Sequence, residues 1–270
     1  MKTNNADSIL YTSIITFMKT IAFPILAILG FTLLFSCKND VKTNEETTSV
    51  VTDSIPAETI PESMYVTASS GLTLREHPNL QSSKLTVMPL GTKVKLINAE
   101  EKATMNVGGI DGAMDEVEFN NIKGFAFNGF MSKFSPPGET AVAKNYAEEL
   151  KKDFPKVNYS EATGGTASKP TKTETLILPT DKWHEAFFTA QQLFNIPKSF
   201  AFPNPKGSNH ETQQNANKKK NDFISELQIS RNANQLERIV YNYKTDGFGY
   251  VVTISKDANG MKLEKVEVAD

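Results

Sequence analysis

One thiol, three imidazoles and a few pairs of adjacent acids are the groups in this 270-residue chain with the means to do chemistry. The single cysteine, Cys37, excludes a disulfide framework within the chain and any multi-cysteine zinc site. A serine nucleophile has no support, because no Gly-x-Ser-x-Gly elbow occurs. His77, His184 and His210 lie far apart in the sequence, and none has a partner at helical or hairpin ligand spacing. His184 adjoins Glu185, but consecutive residues of a helix do not face each other. The acid pairs Glu45-Glu46, Glu100-Glu101 and Glu148-Glu149 fall in polar contexts where solvation accounts for them better than a glycosidase carboxylate pair. The expectation is therefore a chain with no metal site, no cofactor and no catalytic role.

The elements that would carry these residues follow from composition and pattern. Twenty-nine Lys and Arg stand against 31 Asp and Glu, a formal charge of −2. A general nucleic-acid binder needs a surplus of positive charge to neutralise phosphates, so nucleic acid is an unfavourable partner. The length fits one or two domains of ~100–200 residues.

The first apolar run, Ile21 to Phe35, is interrupted by Pro24 and is shorter than the ~20 residues a membrane-crossing helix needs. It has the proportions of a signal-peptide core, preceded by Met18-Lys19-Thr20. Met18 by itself opens a complete signal sequence. The run ends in Leu33-Leu34-Phe35-Ser36-Cys37, which resembles the lipobox of bacterial lipoproteins: Leu34 fills the branched apolar place and Ser36 the small one, with Phe35 replacing the usual small residue between them. The resemblance implies removal of residues 1–36 as a lipoprotein signal peptide and lipid attachment at Cys37, with several acyl chains giving stable anchoring. Loss of Lys2, Lys19 and Asp7 with that segment leaves the mature net charge at −3, again unsuited to polyanions. Lys38 follows where Asp would imply inner-membrane retention in Gram-negative lipoproteins, so the resemblance implies an envelope location at the outer membrane, facing the periplasm or the surface.

Residues 37–63 are rich in Thr, Ser, Glu and Asp and contain no aromatic residue, which reads as a flexible tether. From Tyr65 to Phe134 short alternating segments separated by turn residues predict an all-β unit, with Val66, Leu72, Leu74, Leu85, Val87, Val94, Leu96 and Ile97 as strand formers and Gly71, Gly108-Gly109 and Gly124 among the breaks. Three segments, GLTLREHPNLQSSKL, MPLGTKVKLI and KGFAFNGFMS, resemble in order the opening strand and loop, the next hairpin and the closing segment of the bacterial SH3 domain. The resemblance covers residues 64–134 and implies a small SH3-like β-barrel. The family's tryptophan is absent from Glu116-Val117-Glu118-Phe119, and the loop Asn98 to Asp115 is long, both at the surface that shapes the ligand groove. The cell-wall cysteine peptidases that accompany such domains need a second thiol, which this chain lacks.

Residues 139–270 read as an α+β domain with an antiparallel meander, so the fold class is mainly β plus α+β. Val142, Tyr146, Leu150 and Phe154 predict an amphipathic helix over Glu139–Phe154. EATGGTASKPTK reads as a loop and Thr173–Leu178 as a strand. Thr180 is placed to cap a second helix with Trp183, Phe187, Ala190 and Phe194 on one face, a core stripe more readily than a pocket. SFAFPNPKG and an Asn-, Gln- and Lys-rich loop come next, then strands over Phe223–Ser230, Leu236–Lys244, Phe248–Lys256 and Met261–Val268. Lys218-Lys219-Lys220 could touch anionic lipid, but three lysines in a polar loop read first as a solvated run.

The expectation for function is a lipid-anchored, non-catalytic envelope protein whose SH3-like domain recognises peptidoglycan peptide or a protein partner. Candidate ligand residues are Arg75 and Asn79 in the loop after the opening strand, and Phe127. Phe125, Phe127 and Phe130 could form an aromatic groove, although parity favours core packing for Phe125 and Phe127. Arg75 could instead be a structural hydrogen-bond donor. Two rivals remain: an accessory subunit that docks an envelope partner through residues 139–270, and a hydrolase site around Trp183, His184 and the Phe/Pro segment.

Overall fold

The computed structural model describes residues 62–269, so the signal segment, Cys37 and nearly all of the tether lie outside the described residues. The described chain is mostly strand. It begins with β1 (Ser63–Val66), β2 (Leu72–Arg75), β3 (Lys84–Met88), β4 (Lys93–Asn98), β5 (Met105–Val107), β6 (Ile110–Gly112), β7 (Met114–Phe119) and β8 (Ile122–Phe127). A 3-10 turn (Asn128–Phe130) leads into β9 (Met131–Ser132). Then come α1 (Ala143–Leu150), β10 (Asn158–Thr166), β11 (Lys169–Leu178), α2 (Trp183–Leu193), β12 (His210–Gln214), β13 (Ile224–Asn232), β14 (Gln235–Thr245), β15 (Phe248–Asp257) and β16 (Gly260–Ala269).

Two open antiparallel sheets result. The first has the order β3-β2-β8-β7-β4-β1-β9, and β5 and β6 form a separate two-stranded hairpin. Alternation drives the strands inward on one face: Met64 and Val66, Leu72 and Leu74 are buried while Tyr65 and Thr73 are half-covered. Leu85 and Ile97, expected strand formers, stay exposed. Two features differ from the sequence expectation. Gly124 does not break a strand; it lies inside β8, where a Cβ would come within 2.6 Å of the Arg75 carbonyl oxygen, so glycine permits the close approach of β8 to β2. The reversal between β7 and β8 is made instead by Asn120 and Asn121, both at positive φ. The long loop Asn98 to Asp115 also carries structure, the β5–β6 hairpin turned at Gly108-Gly109.

The second sheet has the order β10-β11-β16-β15-β14-β13-β12, so β13 to β16 form an antiparallel meander, as read from their alternation and turn residues. In β13, Ser225, Leu227, Ile229 and Arg231 point inward in strict alternation. A bulge at Ser230/Arg231 shifts the register, which is why the next inward residues of β14, Leu236 and Ile239, stand three apart. The segment expected to be a loop, Glu161–Lys172, is a hairpin: β10 and β11 pair as far as Thr166↔Lys169. Its residues are exposed on both faces, so no apolar alternation marked it. β12 likewise replaces part of the expected polar loop, as an edge strand on β13.

Both helices are shorter than expected. The buried face of α1 is Ala143, Tyr146, Ala147 and Leu150, whereas Val142 is its N-cap and is 54% exposed. Lys182, not Thr180, is the N-cap of α2, without a side-chain cap bond. The Thr180 hydroxyl donates to Glu185 Oε2 at 2.5 Å and accepts from the Lys182 N–H at 3.2 Å. Phe187, Ala190 and Phe194 are fully buried where α2 packs on β15 and β16, the core role expected of that stripe, while Trp183 packs half-buried against it. One hydrophobic core cluster runs through both sheets, and residues 56–270 group as a single compact unit.

Candidate functional site

Where residues of the first sheet meet the segment after α2, a cleft of about 450 Å³ opens. The β1–β2 connection (Thr67 to Gly71) and Arg75 form one wall, and the hairpin tip (Val107, Gly108, Ile110) forms part of another. Phe127 and Phe130 make the floor with their rings 5.5 Å apart and edge-on. The opposite wall comes from α2 and the chain just beyond it: Phe188, Gln191, Gln192, Lys198, Phe200 and Phe202.

Each wall is held by identifiable bonds. Asn128 fixes the turn carrying Phe130: its Oδ1 accepts from the Ala113 N–H and its Nδ2 donates to Asp115 Oδ1, both at 2.9 Å. Asp115 is 5% exposed and also accepts from the Glu100 N–H. Burial pushes the Asp115 carboxyl up, against the opposing pull of those hydrogen bonds. Gln191 Nε2 donates to the carbonyls of Pro197 (3.2 Å) and Phe200 (2.9 Å), closing the turn that presents Lys198. Beyond the lining, Arg231, 4% exposed, donates from Nε to Asn204 O, from Nη1 to Ser208 O and from Nη2 to Glu211 Oε2, at 2.8–2.9 Å, and ties β13 to the chain that follows Phe202. Gly109, at φ +83°, touches the same segment. A Cβ there would stand 3.0 Å from Asn204 Cα, so at this positive φ glycine lets the hairpin approach Asn204 and Pro205 without strain.

Of the three sequence candidates, the cleft unites two. Arg75 lines it, and also has the structural role weighed from sequence, since Nη1 donates to Ser82 O at 2.7 Å. Phe127 is 3% exposed, a core residue whose ring nevertheless borders the cleft, while Phe125 is half-buried against the core and is not part of the lining. Asn79 is not in the lining either. Its Oδ1 accepts from the Gln81 N–H at 3.1 Å, shaping the loop locally. Phe188, Gln191, Gln192 and Lys198 were not assigned to a site from the sequence, while Phe200 and Phe202 entered only as part of the Phe/Pro segment of the rival hydrolase site.

The cleft combines apolar and aromatic residues with a few polar and charged groups, the usual composition of a recognition site. Its charged residues are Arg75 and Lys198, and its lining contains no carboxylate, imidazole or thiol. His184 lies beside it rather than in it, edge-on to Phe202 with ring centroids 6.0 Å apart. Its Nε2 is buried without a hydrogen-bond partner. Burial first, and then the Lys182 charge, holds this imidazole down at about 4, with Asp181 opposing. Among the described residues no group of three or more His, Cys, Asp or Glu could hold a metal ion. Compared with known proteins, the chain matches no protein-family model, no curated protein and no solved structure.

Proposed function

We propose that this chain is a lipid-anchored, non-catalytic envelope protein that recognises peptidoglycan peptide or a partner protein through the cleft bordered by Arg75, Phe127 and Lys198. The reading has residues 64–134 as a bacterial SH3-type module. In its support, short antiparallel strands, a 3-10 turn and a final two-residue strand occur along the segments that carry the resemblance. The reading places the lipid on Cys37 and the protein at the outer membrane.

The observation that carries the functional part is the cleft itself. An aromatic floor of this kind buries the apolar portion of a ligand, and the Arg75 and Lys198 charges favour an anionic group such as a peptide carboxylate. No lining residue supplies acid–base or nucleophilic chemistry, which favours binding over turnover. The walls come from both sheets' neighbourhoods, which favours joint recognition over a first sheet serving as a spacer. The test is co-sedimentation of residues 56–270 with purified sacculi, beside Arg75→Ala/Lys198→Ala. Binding lost in the double variant supports wall recognition. Failure of the parent to bind sacculi, with capture of an envelope protein that the double variant does not capture, assigns the cleft to a protein partner. Binding equal in parent and variant overturns the role of the cleft.

A further inference from the structure

Three strands bring together a second feature, none of whose residues lines the cleft. The start of β13, the end of β14 and the start of β15 adjoin through the pairs Ile224↔Lys244 and Thr245↔Phe248. At this corner Phe223 is 59% exposed, the highest value among the large hydrophobics left exposed in the described residues, and Phe248, 37% exposed, shares its face of the sheet through Thr245, whereas Ile224, 39% exposed and paired with Lys244, projects from the opposite face. Single exposed apolar residues are ordinary, but adjacent ones on a solvent-facing corner mark a contact surface. The same two segments, 218–224 and 244–248, carry Lys218, Lys219, Lys220 and Lys244 against Asp222 and Asp246, a local positive excess on a chain of net charge −2. The loop is built rather than loose. Lys218 Nζ donates to Phe223 O at 3.0 Å, the Lys219 N–H donates to Asp222 Oδ2 at 2.8 Å, and the Tyr243 hydroxyl donates to Asp222 Oδ1 at 2.8 Å. The Thr245 hydroxyl donates to Asn221 O at 2.9 Å. These bonds take one of the two acids into the fold and fix Phe223 at the tip.

We infer that this corner docks on the surface of a bilayer rich in anionic headgroups, with Phe223 and Phe248 entering the interface and Lys218–Lys220 meeting the headgroup charge. Aromatic side chains beside a lysine cluster combine the two attractions that hold a protein on such a surface, apolar burial and local electrostatics. The docking uses residues outside the cleft lining and concerns how the folded body lies against a membrane, whatever tethers it.

The test uses the full chain, whose one tryptophan, Trp183, is half-buried. Phe223→Trp places a second indole at the exposed tip. Its emission is compared with that of the parent in phosphatidylcholine vesicles and in vesicles mixed with phosphatidylglycerol, with acyl chains brominated as quenchers. The inference predicts a blue shift and bromine quenching of the added indole that need phosphatidylglycerol and weaken with salt. Partition should fall about tenfold or more when Lys218, Lys219 and Lys220 are all replaced by Ser. Emission that ignores the vesicles, or responds equally without anionic lipid, overturns it. Emission that shifts with protein concentration instead overturns it in favour of a second copy of the chain at this corner.

Discussion

Replacing Arg231 by Met tests how the segment that follows the cleft residue Phe202 is held on β13. The guanidinium makes three charge-assisted bonds to residues 204–211, and each such bond contributes roughly 1.5–3 kcal/mol when its partner is out of water. Here the partners are not fully dry: Asn204 and Ser208 are exposed and the Glu211 side chain is 36% exposed, so water replaces part of each lost bond. Methionine keeps the apolar stem in place. The expected cost is therefore about 2–4 kcal/mol, below the simple sum and near the low end for breaking a buried pair. Denaturant unfolding of residues 56–270 measures it. The pH dependence adds a second reading. The Gln213 amide first, and then Arg231, hold the Glu211 carboxyl below its ordinary range. A depressed carboxylate contributes stability that is present above its unfolded value and lost as pH falls through the folded one. The acid limb of the stability profile should thus be shallower in Arg231→Met, with the Gln213 part remaining. A loss under about 0.5 kcal/mol, the size of an ordinary surface change, would refute the reasoning.

Other substitutions separate the remaining roles. Asn79→Ala should cost about 0.5–1.5 kcal/mol through the lost bond to the Gln81 N–H and leave ligand affinity unchanged, as a binding isotherm beside Arg75→Ala would show. For His184 the folded value of about 4 lies below the unfolded ~6.5, so its contribution is complete above ~6.5 and drains away as pH falls toward 4, by up to about 1.4 kcal/mol per pH unit. His184→Phe should flatten that part of the stability profile, and an NMR titration of the imidazole should locate its midpoint near the lower value. Gly109→Ala should destabilise by about 1–3 kcal/mol, because it combines a positive φ with a 3.0 Å approach to Asn204, and hydrogen exchange should rise in the β5–β6 hairpin first.

The legible parts of the chain were those where a local signal and the tertiary environment agree. The four C-terminal strands fall within a residue or two of their sequence limits, because alternation and turn residues such as Ala233-Asn234 and Gly247 coincide there. The β10–β11 hairpin was not legible, since Thr, Gly and Lys exposed on both faces leave no period to read. Gly124 misled for a related reason: a strand glycine signals a chain crossing that only the neighbouring strand reveals. At the cleft, Arg75 and Phe127 could be singled out from the motif segments around them. Lys198 could not, and the Phe/Pro segment with Phe200 and Phe202 was singled out only for a separate hydrolase site, because nothing local tells that a segment some 70 residues later lines the same cleft. Asn79 shows the converse, a residue chosen for its place in a loop whose side chain serves that loop.

The most direct test of cleft recognition is hydrogen exchange of residues 56–270 with and without soluble peptidoglycan fragments, or with the envelope protein captured if sacculi do not bind. The account predicts protection that appears together at Thr67–Thr73, Val107–Ile110 and Lys198–Phe202, three of the segments that border the cleft, and that is absent in Arg75→Ala/Lys198→Ala. Protection confined to the outer edge strands β10 or β12, or unchanged in the double variant, would contradict it.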